Sequence, residues 1–145
     1  GKKWVSRKGN IFMSIYFMID EKKIKIEQFS ILNPYIIKKI LKKYTDQKIK
    51  IKLPNDILIK SKKLCGILQE VISFKNKKYL IIGIGINSVV RPLSNNFNAT
   101  SLLKNSNFAI KNKDIVNDIK KAYEKILSGI SRHKIKNLMK YICEK

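Results

Sequence analysis

Acidic residues are scarce in this chain: 10 Asp and Glu stand against 32 Lys and Arg, a formal net charge of +22 over 145 residues. There is one histidine, His133, and there are two cysteines, Cys65 and Cys143, with no CxxC pair. This leaves neither a zinc-type ligand set nor a disulfide framework. Cys65 lies in an apolar run and reads as a small buried hydrophobe, and His133 reads as a surface residue. No GxxxxGK[ST] phosphate loop occurs. The one GxG, Gly83-Ile84-Gly85, lacks the third glycine and following helix of a dinucleotide fingerprint. No apolar run is long enough for a helix to span a bilayer, so no membrane role is expected, and the unpaired thiols fit a reducing, cytoplasmic setting.

What is present suits one globular domain, with 44% hydrophobic residues. The basic excess is spread along the chain at polar positions rather than gathered in a patch. Lys, Ile, Asn, Tyr and Phe are abundant together, so the charge reads as composition, and nucleic acid is not the expected partner.

Residues 10–19, NIFMSIYFMI, are apolar at nearly every position, the pattern of a strand buried on both faces. Residues 29–44 turn helical: Leu32, Tyr35, Ile36, Ile40 and Leu41 share a face and lysines occupy the other. Pro34 fits best in a first turn, so the helix is expected to begin near Ser30 or Asn33. Residues 49–53 alternate as a half-buried strand, Pro54-Asn55-Asp56 breaks it, and strands resume at Ile57 and from Lys63 to Val71. Lys75 to Lys78 reads as a hairpin turn and Tyr79 to Ile86 as a buried strand with backbone access at its two glycines. A Ser- and Asn-rich loop follows, then a short helical turn near 99–104. Amphipathic helices are expected at 113–129 and 132–144. The second carries Ile135, Leu138, Met139 and Ile142 as its apolar stripe. The fold expected is mixed α/β (α+β), a largely antiparallel sheet with helices mainly on one face.

One stretch is more specific. Lys52-Leu53-Pro54-Asn55-Asp56-Ile57, followed by Lys63-Leu64-Cys65-Gly66-Ile67-Leu68-Gln69-Glu70, resembles the central motif of the biotin–protein ligases. Trp4-Val5-Ser6 with Gly9-Asn10 upstream, Gly83-Ile84-Gly85-Ile86-Asn87 downstream, and Ala99-Thr100-Ser101-Leu102 after it occur in the family's order. The resemblance covers Trp4 to about Leu102. It implies ATP-dependent conversion of biotin to biotinyl-5'-AMP, then transfer to a lysine of a biotin carboxyl carrier protein, with Mg²⁺ accompanying ATP. It also implies that residues 1–145 are part of a catalytic domain. Gly1 resembles the last glycine of a Gly/Arg-rich loop, whose remainder and preceding strand and helix would lie upstream, and a small β domain would lie downstream.

Carried over residue by residue, the resemblance makes Lys63 the lysine that reaches the biotin carboxylate and the phosphate, and Lys52 a supporting charge. Gly66 and Gly85 would let backbone approach biotin, alongside Lys63. Trp4, Asn87, Asn55 and Thr100 fall on the nucleotide side, and no protein metal ligand is implied. Leu53 stands where the family most often has tryptophan, and a packing role is expected of it. Taken singly, most of these positions have a plainer reading. Lys52 and Lys63 could be solvated lysines like their neighbours, Asn55 a turn residue, and Trp4 a core anchor. A lipoate–protein ligase, a basic nucleic-acid-binding module and a non-catalytic remnant remain as alternatives, and a homodimer is left open.

Overall fold

A computed structural model of the chain describes residues 6–92, 98–107, 109–129 and 132–143, with the backbone alone for 132–135 and 143. Trp4 lies outside the described residues, as do the side chains of His133, Ile135 and Cys143. Five strands form one sheet: β1 (Ile11–Met18), β2 (Ile49–Lys52), β3 (Asp56–Ile59), β4 (Lys62–Phe74) and β5 (Lys77–Ile86), in the spatial order β1-β5-β4-β3-β2. Every strand pairing is antiparallel. The three helices are α1 (Phe29–Leu41), α2 (Asn112–Gly129) and α3 (Arg132–Cys143). Because β1 and β2 occupy opposite edges, α1 carries the chain across the sheet.

Tight turns set the register on the right-hand part of the sheet. Lys60 and Ser61 have φ of 49° and 60°, and Lys75 and Asn76 have φ of 47° and 60°. Two left-handed residues in succession make the two-residue hairpin turn that matches strand twist. β4 runs to Phe74, beyond the expected end at Val71, because the second hairpin keeps it paired with β5 through Phe74 and Lys77.

The core lies between one face of the sheet and the helices. Ile57, Ile59, Leu64, Leu80, Ile82 and Ile86 from the strands are fully enclosed, with Phe29, Leu32, Ile37 and Leu41 of α1 and Ile115 and Ile119 of α2. Leu138, Met139 and Ile142 of α3 pack at its margin. This is the expected arrangement of helices on one face. A polar chain crosses the apolar interior: the Tyr123 hydroxyl donates to Asn33 Oδ1 (2.8 Å), and Asn33 Nδ2 donates to Gln69 Oε1 (2.5 Å). It ties α2, α1 and β4 together, as buried polar groups require partners. Burial pushes the Tyr123 hydroxyl well above its ordinary pKa, so it stays a donor.

Three local expectations need correction. β1 is not buried on both faces. It is an edge strand whose exposure alternates, with Phe12, Tyr16 and Met18 outward at 42%, 77% and 53%. Helices cover only the other side. Pro34 is not in a first turn: α1 starts at Phe29, directly after a 3₁₀ turn at Ile26–Gln28, and the proline sits inside the helix. Leu53 does not pack, being 63% exposed beside a cis Leu53–Pro54 bond. β2 ends at Lys52, so Leu53 lies past the last paired residue.

The 3₁₀ turn that follows α1, Lys42–Tyr44, is also joined to α2. Asp118 accepts from Lys43 Nζ (2.9 Å) and from the Tyr44 hydroxyl (3.1 Å). The hydrogen bond from Lys43 is the main reason that the Asp118 carboxyl is held below its ordinary value. Burial, then the same Asp118 contact, pushes Tyr44 up to about 12. A carboxyl whose pKa is lowered by folding stabilises the fold above its unfolded value, and this is lost as pH falls through the folded one. Asp118→Asn should therefore unfold at lower urea than the parent at neutral pH. The gap should close as pH falls below about 3.9. An undiminished gap at pH 2 would remove Asp118 ionisation as its cause.

Candidate functional site

The site is built on one row across the sheet. Lys52 pairs with Asp56, Asp56 with Gly66, Gly66 with Gly85, and Gly85 with Phe12. Directly opposed residues of antiparallel strands point to the same face, so all five share the face that the helices leave open. Two adjacent glycines make the middle of this row bare backbone. Gly83 falls one pair further on, between Ser14 and Leu68. The result is a trough of about 620 Å³ lined by, among others, Phe12, Asn55, Asp56, Lys63, Gly66 and Gly85.

Strict alternation along β4 would turn Lys63 away from this face, since it is three residues from Gly66. The pairing prevents that. Ile57 opposes Cys65 but Leu58 opposes Lys63, so Leu64 is an extra residue, a β-bulge. A bulge re-aims the side chains that follow it. Leu64 and Cys65 both go to the core at 0% exposure, and Lys63 returns to the open face. There its Nζ lies 2.6 Å from Asp56 Oδ1, with the two side chains 34% and 23% exposed. Burial pushes the neighbouring Cys65 thiol well up, against the opposing pull of the Lys63 charge, so it acts as a neutral core group.

The Lys63 backbone is held from behind. Its N–H donates to the Asn98 carbonyl (2.8 Å), and its own carbonyl accepts from Thr100 N–H (2.9 Å) and Asn87 Nδ2 (3.4 Å). Residues 98–100 thus add a short parallel bridge, through Ala99, to the bulged end of β4. Asn87 is 1% exposed and Thr100 4% exposed. Neither lines the trough: both brace the strand that carries Lys63, and the Thr100 hydroxyl accepts from Asn105 Nδ2 (2.7 Å). Asn55 does line the trough, and its carbonyl accepts from Ile67 N–H (2.9 Å). Lys52 ends the row, exposed and outside the trough lining. The structure therefore brings Lys63, Gly66, Gly85 and Asn55 together, with Lys52 beside them and Asn87 and Thr100 behind.

Two contributors escaped the sequence reading. Asp56, like Asn55, could by its sequence either contact the nucleotide or brace the turn, and its pairing with Lys63 is visible only in the structure. Asn10 is the other. Its Oδ1 accepts from Val89 N–H (3.1 Å) and Val90 N–H (3.0 Å), while its Nδ2 donates to the Val90 carbonyl (2.8 Å) and Asn87 Oδ1 (3.3 Å). All the capacity of one amide is spent on fixing the segment after β5. Gly9 before it has φ +95°, a conformation that L side chains rarely adopt, and its carbonyl accepts from Ser88 Oγ (3.2 Å) and Asn112 Nδ2 (2.7 Å). The Gly9-Asn10 pair in the sequence was the available signal. Among the described residues there is no cluster of three or more His, Cys, Asp or Glu.

The arrangement is a trough floored by bare backbone, with a braced lysine at its end. A family model described as the biotin/lipoate A/B protein ligase family matches residues 1–87. The chain belongs to that family. It is 34% identical over 130 residues to the bifunctional ligase/repressor BirA of Bacillus spizizenii, covering 84% of this chain and 39% of that protein. It resembles the biotin protein ligase of Aquifex aeolicus, solved in complex with biotin and ATP, at a TM-score of 0.67 and 27% identity over 87% of this chain and 55% of that one. The Leishmania major biotin protein ligase superposes with a TM-score of 0.72 over 98% of this chain and 64% of that one, and at 23% identity this speaks for the fold. The chain spans 29% to 39% of the length of the curated relatives it matches.

Asn10→Ala should leave the sheet intact but release the segment after β5. Amide hydrogen exchange at Val89 and Val90 should then rise by about tenfold or more, as loss of a buried partner costs about 1–3 kcal/mol. Unchanged protection at both amides would show that Asn10 does not hold them.

Proposed function

We propose that the trough is the acid-activating site of a biotin–protein ligase, joining biotin to ATP and passing the acyl group to a lysine of a carrier protein. The supporting observation is Lys63: a cation turned onto a glycine-floored face by a bulge and held at its backbone from three directions. In the first step a biotin carboxylate oxygen attacks the α-phosphorus of ATP. The P–O bond to the departing pyrophosphate breaks, leaving a mixed anhydride. Both reactants are anions, so a fixed positive charge at their junction offsets repulsion and the charge growing on the phosphoryl oxygens. In the second step an acceptor amine attacks the acyl carbon, AMP departs, and the amine proton is lost.

Gly66 and Gly85 let the substrate lie on the backbone, and the apolar Phe12 flanks it. Lys52 adds positive potential at the end of the row. Asn87 and Thr100 serve by keeping Lys63 in place. Asn55 reaches the same space as Lys63 and is the group assigned to the nucleotide. Mg²⁺ would arrive with ATP, held mainly by phosphate oxygens and water. Asp56 is the one carboxylate lining the trough, which suits a metal carried in by its substrate rather than by a protein cage.

Lipoate–protein ligation is the alternative within the same family. Calorimetric titration of the full-length protein with non-hydrolysable biotinyl- and lipoyl-adenylate analogues separates the two. Preference for the biotinyl compound is expected, and tighter lipoyl binding would reverse the assignment. Lys63→Ala in the same protein should cut biotin-dependent pyrophosphate release by about 10²–10³-fold, the range for losing one fixed donor at a developing charge. Its melting temperature should hold. Pyrophosphate release at the parental rate would end the role given to Lys63.

A further inference from the structure

On the opposite side of the molecule from the trough, the three helices leave a groove of about 690 Å³. Leu32, Ile36 and Ile40 of α1 form one side of its floor, and Ala122 and Ile126 of α2 with Leu138 of α3 form the other. The α1 residues recur every four positions and span about 12 Å of helix axis. Lys39 of α1, Lys43 just beyond its end, and Lys121 and Lys125 of α2, all exposed, line the same groove. Among the described lining residues Asp118 is the single acid, and it is paired with Lys43 at 2.9 Å.

We propose that this groove is a docking site for an acidic amphipathic helix of a partner protein. The floor fits a helix presenting apolar residues at i, i+3 or i+4, and i+7, the spacing by which helices seat in grooves. The lysines on both walls meet carboxylates on the flanks of such a helix, which sets orientation and partner choice. A second copy of this chain is a poor occupant. It has 10 acidic residues against 32 basic ones, so its own helices would bring lysine against lysine. A membrane surface is flat and does not reach the floor of a concave groove between helices. The trough lies on the far face of the sheet, so an occupant here leaves it open.

The test uses a fluorescein-labelled 14-residue peptide with Leu at i, i+3, i+4 and i+7 and Glu at most other positions. Its anisotropy is followed at about 0.15 M salt, where long-range attraction is largely screened. A peptide of the same composition with the Leu spacing scrambled is the control. The patterned peptide should bind at least about tenfold more tightly. Lys121→Glu with Lys125→Glu should lose that binding and gain binding to the Lys-for-Glu peptide. Lys22→Glu with Lys77→Glu makes the same charge change away from the groove and should leave binding in place. Circular dichroism would confirm that both variants fold. Equal binding of the scrambled peptide, or equal loss in the two variants, would reduce the effect to general attraction and overturn the proposal. Displacement of the peptide by phosphatidylglycerol vesicles, or its exclusion by self-association in light scattering, would overturn it in favour of a lipid surface or a second copy.

Discussion

The site depends on a single shift of register. Between Ile57 and Leu58 the pairing of β3 with β4 slips by one residue, and Leu64 is left unmatched. Side chains along a strand alternate strictly, so one extra residue exchanges the faces of everything beyond it. Here the exchange sends two consecutive apolar residues, Leu64 and Cys65, into the core and sends Lys63 out beside Asp56. A cation that regular geometry would have driven under the helices stands instead at the end of a bare glycine floor. Apolar burial on one side of the strand and charge on the other oppose reversal of the slip, since Lys63 in the core would be an unpaired buried charge.

A bulge locally breaks the ladder, and the freed backbone groups need partners. The segment at 98–100 supplies them, with Asn98 and Thr100 flanking Lys63 on its N–H and carbonyl sides. Asn87 adds its amide to the same carbonyl, and Asn10 holds Asn87 in turn. The backbone of Asn98 and Thr100 and the side chain of Asn87 thus converge on Lys63, with Asn10 behind Asn87. Burial of Asn87 and Thr100 is tolerable because their side chains are paired with main chain, with Asn10 and with Asn105. Asn87 and Thr100 thus lie outside the trough and hold the backbone that carries the lysine.

Much of the fold was legible in the sequence. The alternation at 49–53 and the helical stripes at 32–41 and 115–126 each state a period that backbone geometry can satisfy in one way, and the apolar run at 79–86 is short enough and bounded by turn signals as a buried strand is. β1 misled because apolar content reports only that a residue tolerates burial. Tyr16 and Met18 are apolar in large part yet open to solvent, since no helix covers that face. Pro34 misled for a related reason. The rule against proline inside helices weighs one lost hydrogen bond and a local clash, and the burial of seven other residues of α1 outweighs it.

By itself, the sequence determined the family, the order of elements and the motif residues, because these rest on residue identities and short-range periods that are local in the chain. Which motif residues line the trough and which brace the strand is visible in the tertiary structure alone. That division depends on strand register, on the bulge at Leu64 and on contacts such as Asn10 with Asn87, 77 residues apart. Residue type says that an asparagine can hold a backbone group. It does not say which one, because the partner is chosen by where the sheet places it.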